Sequence, residues 1–189
     1  KISLIPTLKT ITIMKYIMFL RFLNFLESKK GFYLSVGVIS ALSAILRLVR
    51  ITFPSSRVFD EVYSPVFAWK LLHGQSYFDI HPVLAELQHG IGLTLFGDVP
   101  LGWRMSPWIW GIIFCWATAF TAYLLTNRRL TGVIAASLVS LDTAYFVYGR
   151  TGLPDMFLLS QIALSITFFL ASIRKKNKKS EPFLKSLDT

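Results

Sequence analysis

The chain has 189 residues, 53% hydrophobic and only 16% charged, yet it carries a formal charge of +10 at pH 7. So apolar a composition excludes a disordered basic tail, and the scarcity of charge excludes the usual nucleic-acid-binding domain, whose Lys and Arg spread over a soluble face. A single cysteine, Cys115, leaves no intrachain disulfide and no cysteine-rich zinc site, so an integral membrane protein is indicated.

In chain order, residues 11–26 are apolar but contain Lys15 and Arg21. A helix lying in the interface, with its basic side chains among headgroups, fits that pattern better than a spanning helix or a cleaved signal peptide. Crossing a hydrocarbon core takes roughly 20 apolar residues in a helix. The run from Gly31 to Leu46 is uncharged and stays apolar past Arg47 and Arg50 to Phe53, which predicts a first span near 32–52. Residues 54–104 are mixed rather than apolar and hold five of the ten acidic residues and all three histidines. Short helices along the membrane surface are expected there. Three more spans are predicted near 105–126, 131–148 and 154–173, the one over 131–148 interrupted only by Asp142. The fold class is therefore all-α integral membrane, with about four transmembrane helices and a long non-cytoplasmic loop. Its organisation reads as an N-terminal segment 1–30, a membrane domain 31–173 containing the loop 54–104, and a basic tail 174–189.

Cytoplasmic loops of membrane proteins collect Lys and Arg. Residues 1–30 carry a balance of +5, residues 174–189 carry +4, and the turn Arg128-Arg129 adds +2. With four spans these regions share one side, and everything else sums to −1. Both termini are thus expected in the cytoplasm, with the loop 54–104 facing the other compartment, outside a bacterial plasma membrane or inside an endoplasmic reticulum.

That loop contains Asp60-Glu61, Asp79-Ile80-His81-Pro82, Glu86, His89 and Asp98, and closes on Arg104; a short second outer loop adds Arg150 and Asp155. Carboxylates and arginines on one face suit a phosphate-bearing substrate. Arginine holds phosphate bidentately, and a carboxylate takes the proton of an incoming hydroxyl. Plainer readings exist for each. Asp60-Glu61 would cap a helix beginning at Val62, and His81 would be solvated. Arg104 and Arg150 would snorkel to headgroups, Asp142 would pair with Arg150, and the aromatic residues would face lipid. Asp60, Glu61, Asp79 and His81 offer oxygen and nitrogen ligands for a divalent metal, though their spacing matches no metal motif.

The segments Val58-Phe59-Asp60-Glu61-Val62-Tyr63 and Phe78-Asp79-Ile80-His81-Pro82-Val83-Leu84 resemble the first luminal loop of the protein O-mannosyltransferases. Those have Phe-Asp-Glu-Val-His, then Phe-Asp-Val-His-Pro-Pro-Leu-Gly-Lys. Arg104 resembles the arginine that opens the family's second span, and Arg150 to Asp155 keeps the separation of its Ser-Arg-x-x-Leu-Leu-Asp element. Tyr63 replaces histidine, Val83 the second proline, Glu86 lysine and Gly149 serine. The family belongs to the GT-C membrane glycosyltransferases, whose donors are lipid-phosphate sugars and whose members have many more spans. This chain therefore resembles the N-terminal portion of such an enzyme, or a shortened relative. The resemblance implies transfer of a sugar, mannose as first expectation, from a polyprenyl or dolichyl phosphate to a hydroxyl, on Ser or Thr of a translocated polypeptide. It implies Asp60 as general base, Glu61 orienting acceptor or base, and Arg104 and Arg150 on the lipid phosphate. Asp79, His81 and Asp155 would complete the substrate-binding set. No cofactor and no nucleic acid are called for, and a divalent metal stays as the alternative. A GT-C transferase acting on a lipid or surface polymer, a non-catalytic membrane subunit and a small transporter are the other readings.

Overall fold

The structure, a computed structural model, describes residues 8–79 and 83–185. Helices α1 (Leu8–Glu27) and α2 (Lys29–Leu48) are separated by Ser28 alone. The Ser28 hydroxyl accepts from the Gly31 amide at 3.0 Å and so caps α2. After α2 the chain enters the long loop, which holds a 3-10 turn (Phe59–Val62), α3 (Ser64–Leu72) and α4 (Val83–Phe96). Helix α5 (Pro100–Thr126) opens on a proline, whose missing N–H is no loss in a first turn. It closes on Asn127, left-handed at φ 59°. Helices α6 (Arg129–Leu141), α7 (Thr143–Tyr148) and α8 (Asp155–Lys185) follow. The described residues contain no strand.

Three helices are long and apolar enough to cross a membrane: α2, α5 and the Asp155–Lys175 part of α8. The expected third span, 131–148, differs. It is broken into α6 and α7 at Asp142, whose backbone is extended at ψ 132° and whose carboxylate accepts from the Tyr145 amide at 2.7 Å. An Asp supplying its own N-cap starts a new helix instead of continuing the old one. The suggested Asp142–Arg150 pair does not form. Arg150 Nη2 donates instead to the Val49 and Arg50 carbonyls, each at 3.1 Å. Helix α1 lies against α2 and α6 with Ile13, Met14, Met18 and Phe22 exposed.

Helix α5 is the central post, packed chiefly against α8, α6 and α4. One apolar core gathers Phe32, Val36, Cys115, Ala119, Val133, Tyr145 and Met156 from α2 and α5 to α8; a smaller one joins Ala68, Leu93 and Trp103 of α3, α4 and α5. Several aromatic rings expected to face lipid are therefore core residues: Phe32 stacks edge-on against Phe120 at 5.5 Å. Polar bonds tie the spans together, as they do where no water competes. Thr121 and Thr167 share one at 2.8 Å, Ser160 donates to the Trp110 carbonyl at 2.8 Å, and Tyr145 to the Gly111 carbonyl at 2.9 Å. Glycine lets α4 and α5 touch backbone to backbone, since a Cβ on Gly92 would overlap the Gly102 carbonyl.

The end of α1, the α5–α6 turn and Arg174 of α8 meet at one end. The Arg129 amide donates to Glu27 Oε2 at 2.9 Å and its guanidinium to the Glu27 carbonyl at 3.0 Å, tying the α5–α6 turn to the end of α1. Arg174 on α8 reaches Asn127 in the same turn. The loop 54–104 occupies the opposite end.

Candidate active site

Phe59 begins the site with an unusual backbone. Its φ of 52° is rare for a bulky residue. The tight turn that follows sends two adjacent carboxylates to different environments, Asp60 exposed and Glu61 fully buried.

Glu61 is saturated. Oε1 accepts from Arg104 Nε at 2.7 Å and from the Gly152 amide at 2.7 Å. Oε2 accepts from Arg104 Nη2 at 2.7 Å and from the Val58 amide at 3.0 Å. Burial pushes its carboxyl pKa up, but the hydrogen bonds from Arg104, Gly152 and Val58 more than offset this and hold it below the usual carboxylate value. Arg104 is equally occupied. Its Nη1 donates to the Ile51 and Pro54 carbonyls at 2.8 and 2.9 Å, and Nη2 reaches Ser56 O at 3.4 Å. All five guanidinium N–H groups are used, and the side chain is 1% exposed. The plain readings of Glu61 as a cap for a helix starting at Val62, and of Arg104 as a snorkelling anchor, are both replaced by this geometry: α3 starts at Ser64, and Arg104 is buried. Neither Glu61 nor Arg104 lines the pocket in front of them, so the direct contact of Arg104 with phosphate implied by the resemblance finds no N–H available here.

That pocket has a volume of about 680 Å³ and brings together Asp60, Asp79 and Asp155. Tyr63, Phe67 and Phe78 supply aromatic walls, while Gln88 and Gln161 add amides. Asp155 occupies the first turn of α8, where a helix favours negative charge. His81 lies outside the described residues. Among the described residues no group of three or more His, Cys, Asp or Glu stands close enough together to hold a metal ion. Arg150 lines a neighbouring cleft of about 410 Å³ with Arg50, Phe53 and Phe146. Asp98 lines neither cavity and pairs with Arg57, which stacks 4.7 Å over the Trp103 ring.

Behind the pocket sits His89, fully buried, its Nε2 3.0 Å from the Gly152 carbonyl and its ring edge-on to Phe157 at 4.8 Å. A carbonyl only accepts, so Nε2 carries the proton. Burial holds the imidazole pKa down to about 4, so the ring is neutral at pH 7. Gly152 thus donates to Glu61 and accepts from His89, joining the second outer loop to the first. Sequence reasoning passed over Gln88, Gln161 and Gly152 and gave no role to the burial of Glu86 and His89. The available signal was the cluster Glu86, Gln88 and His89 inside a mostly apolar α4.

An all-α membrane protein with a carboxylate-lined pocket at one end of its bundle is what fold and site define. The sequence model described as dolichyl-phosphate-mannose-protein mannosyltransferase matches residues 37–103 and 99–187, and the chain belongs to that family. A Mycolicibacterium smegmatis protein named polyprenol-phosphate-mannose–protein mannosyltransferase is 33% identical over 133 residues, 65% of this chain and 26% of its own length. Dolichyl-phosphate-mannose–protein mannosyltransferase 4 of Schizosaccharomyces pombe is 28% identical over 162 residues, 76% of this chain and 21% of its own. Its Saccharomyces cerevisiae namesake is 26% identical over 171 residues, 79% and 22%. The chain therefore spans about a quarter of the length of these curated relatives. No solved structure matches it.

Proposed function

We propose that this chain carries the catalytic outer loop of a protein mannosyltransferase, which moves mannose from a polyprenyl or dolichyl phosphate to a Ser or Thr hydroxyl of a translocated polypeptide. One observation supports this above the others: Asp60 stands exposed at a pocket while its neighbour Glu61 is locked to Arg104 and Gly152 behind it. A carboxylate held on a braced backbone is a competent general base. Asp60 takes the hydroxyl proton, the acceptor oxygen attacks the anomeric carbon from the face opposite the leaving group, and the phosphate departs with the electron pair of the broken C–O bond. Phosphate leaves readily, so this route calls for no redox cofactor. The charge it carries away needs a cation. Arg150 suits that role better than Arg104, because its half-buried side chain lines a cleft shared with Arg50 and its Nη2 alone is engaged by the two carbonyls, whereas every Arg104 N–H is taken. Glu61 and Arg104 act as positioning residues, Asp79 and Asp155 shape the donor pocket, and His81 is assigned to the same set by the family resemblance alone. The end of the bundle that holds the α5–α6 turn faces the cytoplasm, where the charge balance also assigns both termini, and the pocket opens to the other side of a plasma or endoplasmic-reticulum membrane.

Asp60→Asn in the full-length protein tests the reading. The isosteric amide preserves the turn and removes the base, so transfer from polyprenyl-phosphate mannose to an acceptor peptide should fall on the order of 10²- to 10⁴-fold. Undiminished transfer would remove Asp60 from catalysis and favour a non-catalytic membrane subunit.

A further inference from the structure

Glu86 lies in the first turn of α4, 1% exposed, immediately behind the pocket wall. Neither carboxyl oxygen meets a donor among the described residues. The charge acting on it is the Asp79 carboxylate, which does line the pocket. The elements packed against α4 are α3, α5 and α8. Their ionisable groups at this end are Lys70, Arg104 and Asp155, with Tyr77 and Asp79 on the approach to α4 and His89 on α4 itself. Arg104 is fully committed to Glu61 and backbone carbonyls, and His89 is neutral at pH 7. Among the described residues an ionised Glu86 would therefore be a buried charge with no cation to compensate it, beside a second carboxylate, which is costly. A proton on Glu86 removes that charge and places a donor between the two carboxyl groups.

We propose that Glu86 is a positioning residue for the reaction, a neutral acid that hydrogen-bonds the Asp79 carboxylate and fixes it on the pocket wall. Burial, and then the neighbouring Asp79, push the Glu86 carboxyl pKa up to about 8, consistent with that geometry. The bond is charge-assisted, and so among the stronger kinds available. It also keeps a fourth negative charge away from a pocket already lined by Asp60, Asp79 and Asp155. As pH rises through about 8, Glu86 ionises and two carboxylates face one another. Asp79 is then pushed from its place and the pocket loses its shape. The effect on transfer rests on the functional reading above, whereas the protonation state does not.

The test uses the full-length protein and two readouts. Infrared difference spectroscopy, titrated from below to above pH 8, should show a protonated-carboxyl C=O band that disappears with a midpoint near 8 and is missing from Glu86→Gln. Transfer from polyprenyl-phosphate mannose should fall on the alkaline side in the parent. Glu86→Gln, which keeps a donor that cannot ionise, should retain neutral-pH transfer and lose that alkaline limb. Glu86→Ala, lacking the donor, should fall on the order of tenfold or more at every pH. A spectrum with no Glu86-dependent band, or an alkaline limb that persists in Glu86→Gln, overturns the proposal. A Glu86-dependent band in a protein that transfers no mannose supports the Asp79–Glu86 pair and overturns the functional reading instead.

Discussion

Asp60 and Glu61 are adjacent in sequence and opposite in physics. Asp60 reaches solvent at a pocket, whereas Glu61 has four donors around two oxygens and no access to water. Arg104 is the matching half, and its planar fork is what lets one side chain grip a carboxylate bidentately and still reach carbonyls of the preceding loop. Arg104→Lys keeps the charge but loses the fork, leaving the buried carboxylate poorly compensated. A loss of about 3 to 5 kcal/mol is expected from breaking such a pair. Thermal unfolding of parent and variant in the same detergent measures it, and an unchanged midpoint would mean that the pair holds nothing in place. Asp60 and Glu61 stood out in the sequence as a motif, but their division of labour did not. Neighbouring residues share a local sequence context, and only the left-handed turn at Phe59 separates their surroundings.

Among the elements, the two outer loops are joined through the backbone of Gly152. Its amide reaches Glu61 and its carbonyl reaches His89, across 91 and 63 residues of chain. A Cβ there would sit 3.0 Å from the Trp103 carbonyl, 3.1 Å from the Trp103 ring and 3.3 Å from Glu61 Cγ. Gly152→Ala must therefore displace the loop by a few tenths of an ångström and stretch the bond to Glu61. Overpacking of this kind costs about 1 to 3 kcal/mol. Assayed for mannose transfer and for thermal stability together, the variant should lose both, and full turnover with normal stability would show that the loops need not be joined. The break between α6 and α7 belongs to the same scale. Hydropathy reads 131–148 as one apolar run with a single Asp, because a hydropathy window averages composition and does not register a side chain that caps the next helix.

Taken whole, the molecule is polarised. Its net charge of +10 is concentrated in the termini and the α5–α6 turn, and contacts of Arg129 with Glu27 and of Arg174 with Asn127 gather that turn and the flanking helix ends at one end of the bundle. Charge at helix ends, rather than anything about ligands, sets which way such a bundle inserts. Cys115, the single cysteine of these 189 residues, is fully buried and adds no labelling background of its own. With the protein in a plasma membrane, Ser55→Cys in the pocket-side loop should react in intact cells with a membrane-impermeant maleimide. Arg128→Cys in the basic turn should react only after permeabilisation. The reverse pattern would invert the proposed orientation.

Three of the four span positions, the charge asymmetry and the Asp-Glu and Asp-Ile-His-Pro motifs were legible without coordinates, because each depends on residues close together along the chain. Hydropathy and capping free energies act over a turn or a run of about 20 residues and accumulate locally. Tertiary structure alone decided that Glu61 meets Arg104 across 43 residues, that Asp60, Asp79 and Asp155 share one pocket, and that Arg150 turns to a neighbouring cleft. Those outcomes follow from how α4 and α8 pack on α5. The energy of a buried charge is set by whichever partner the packing brings within hydrogen-bond reach, and separation along the chain does not reveal that partner.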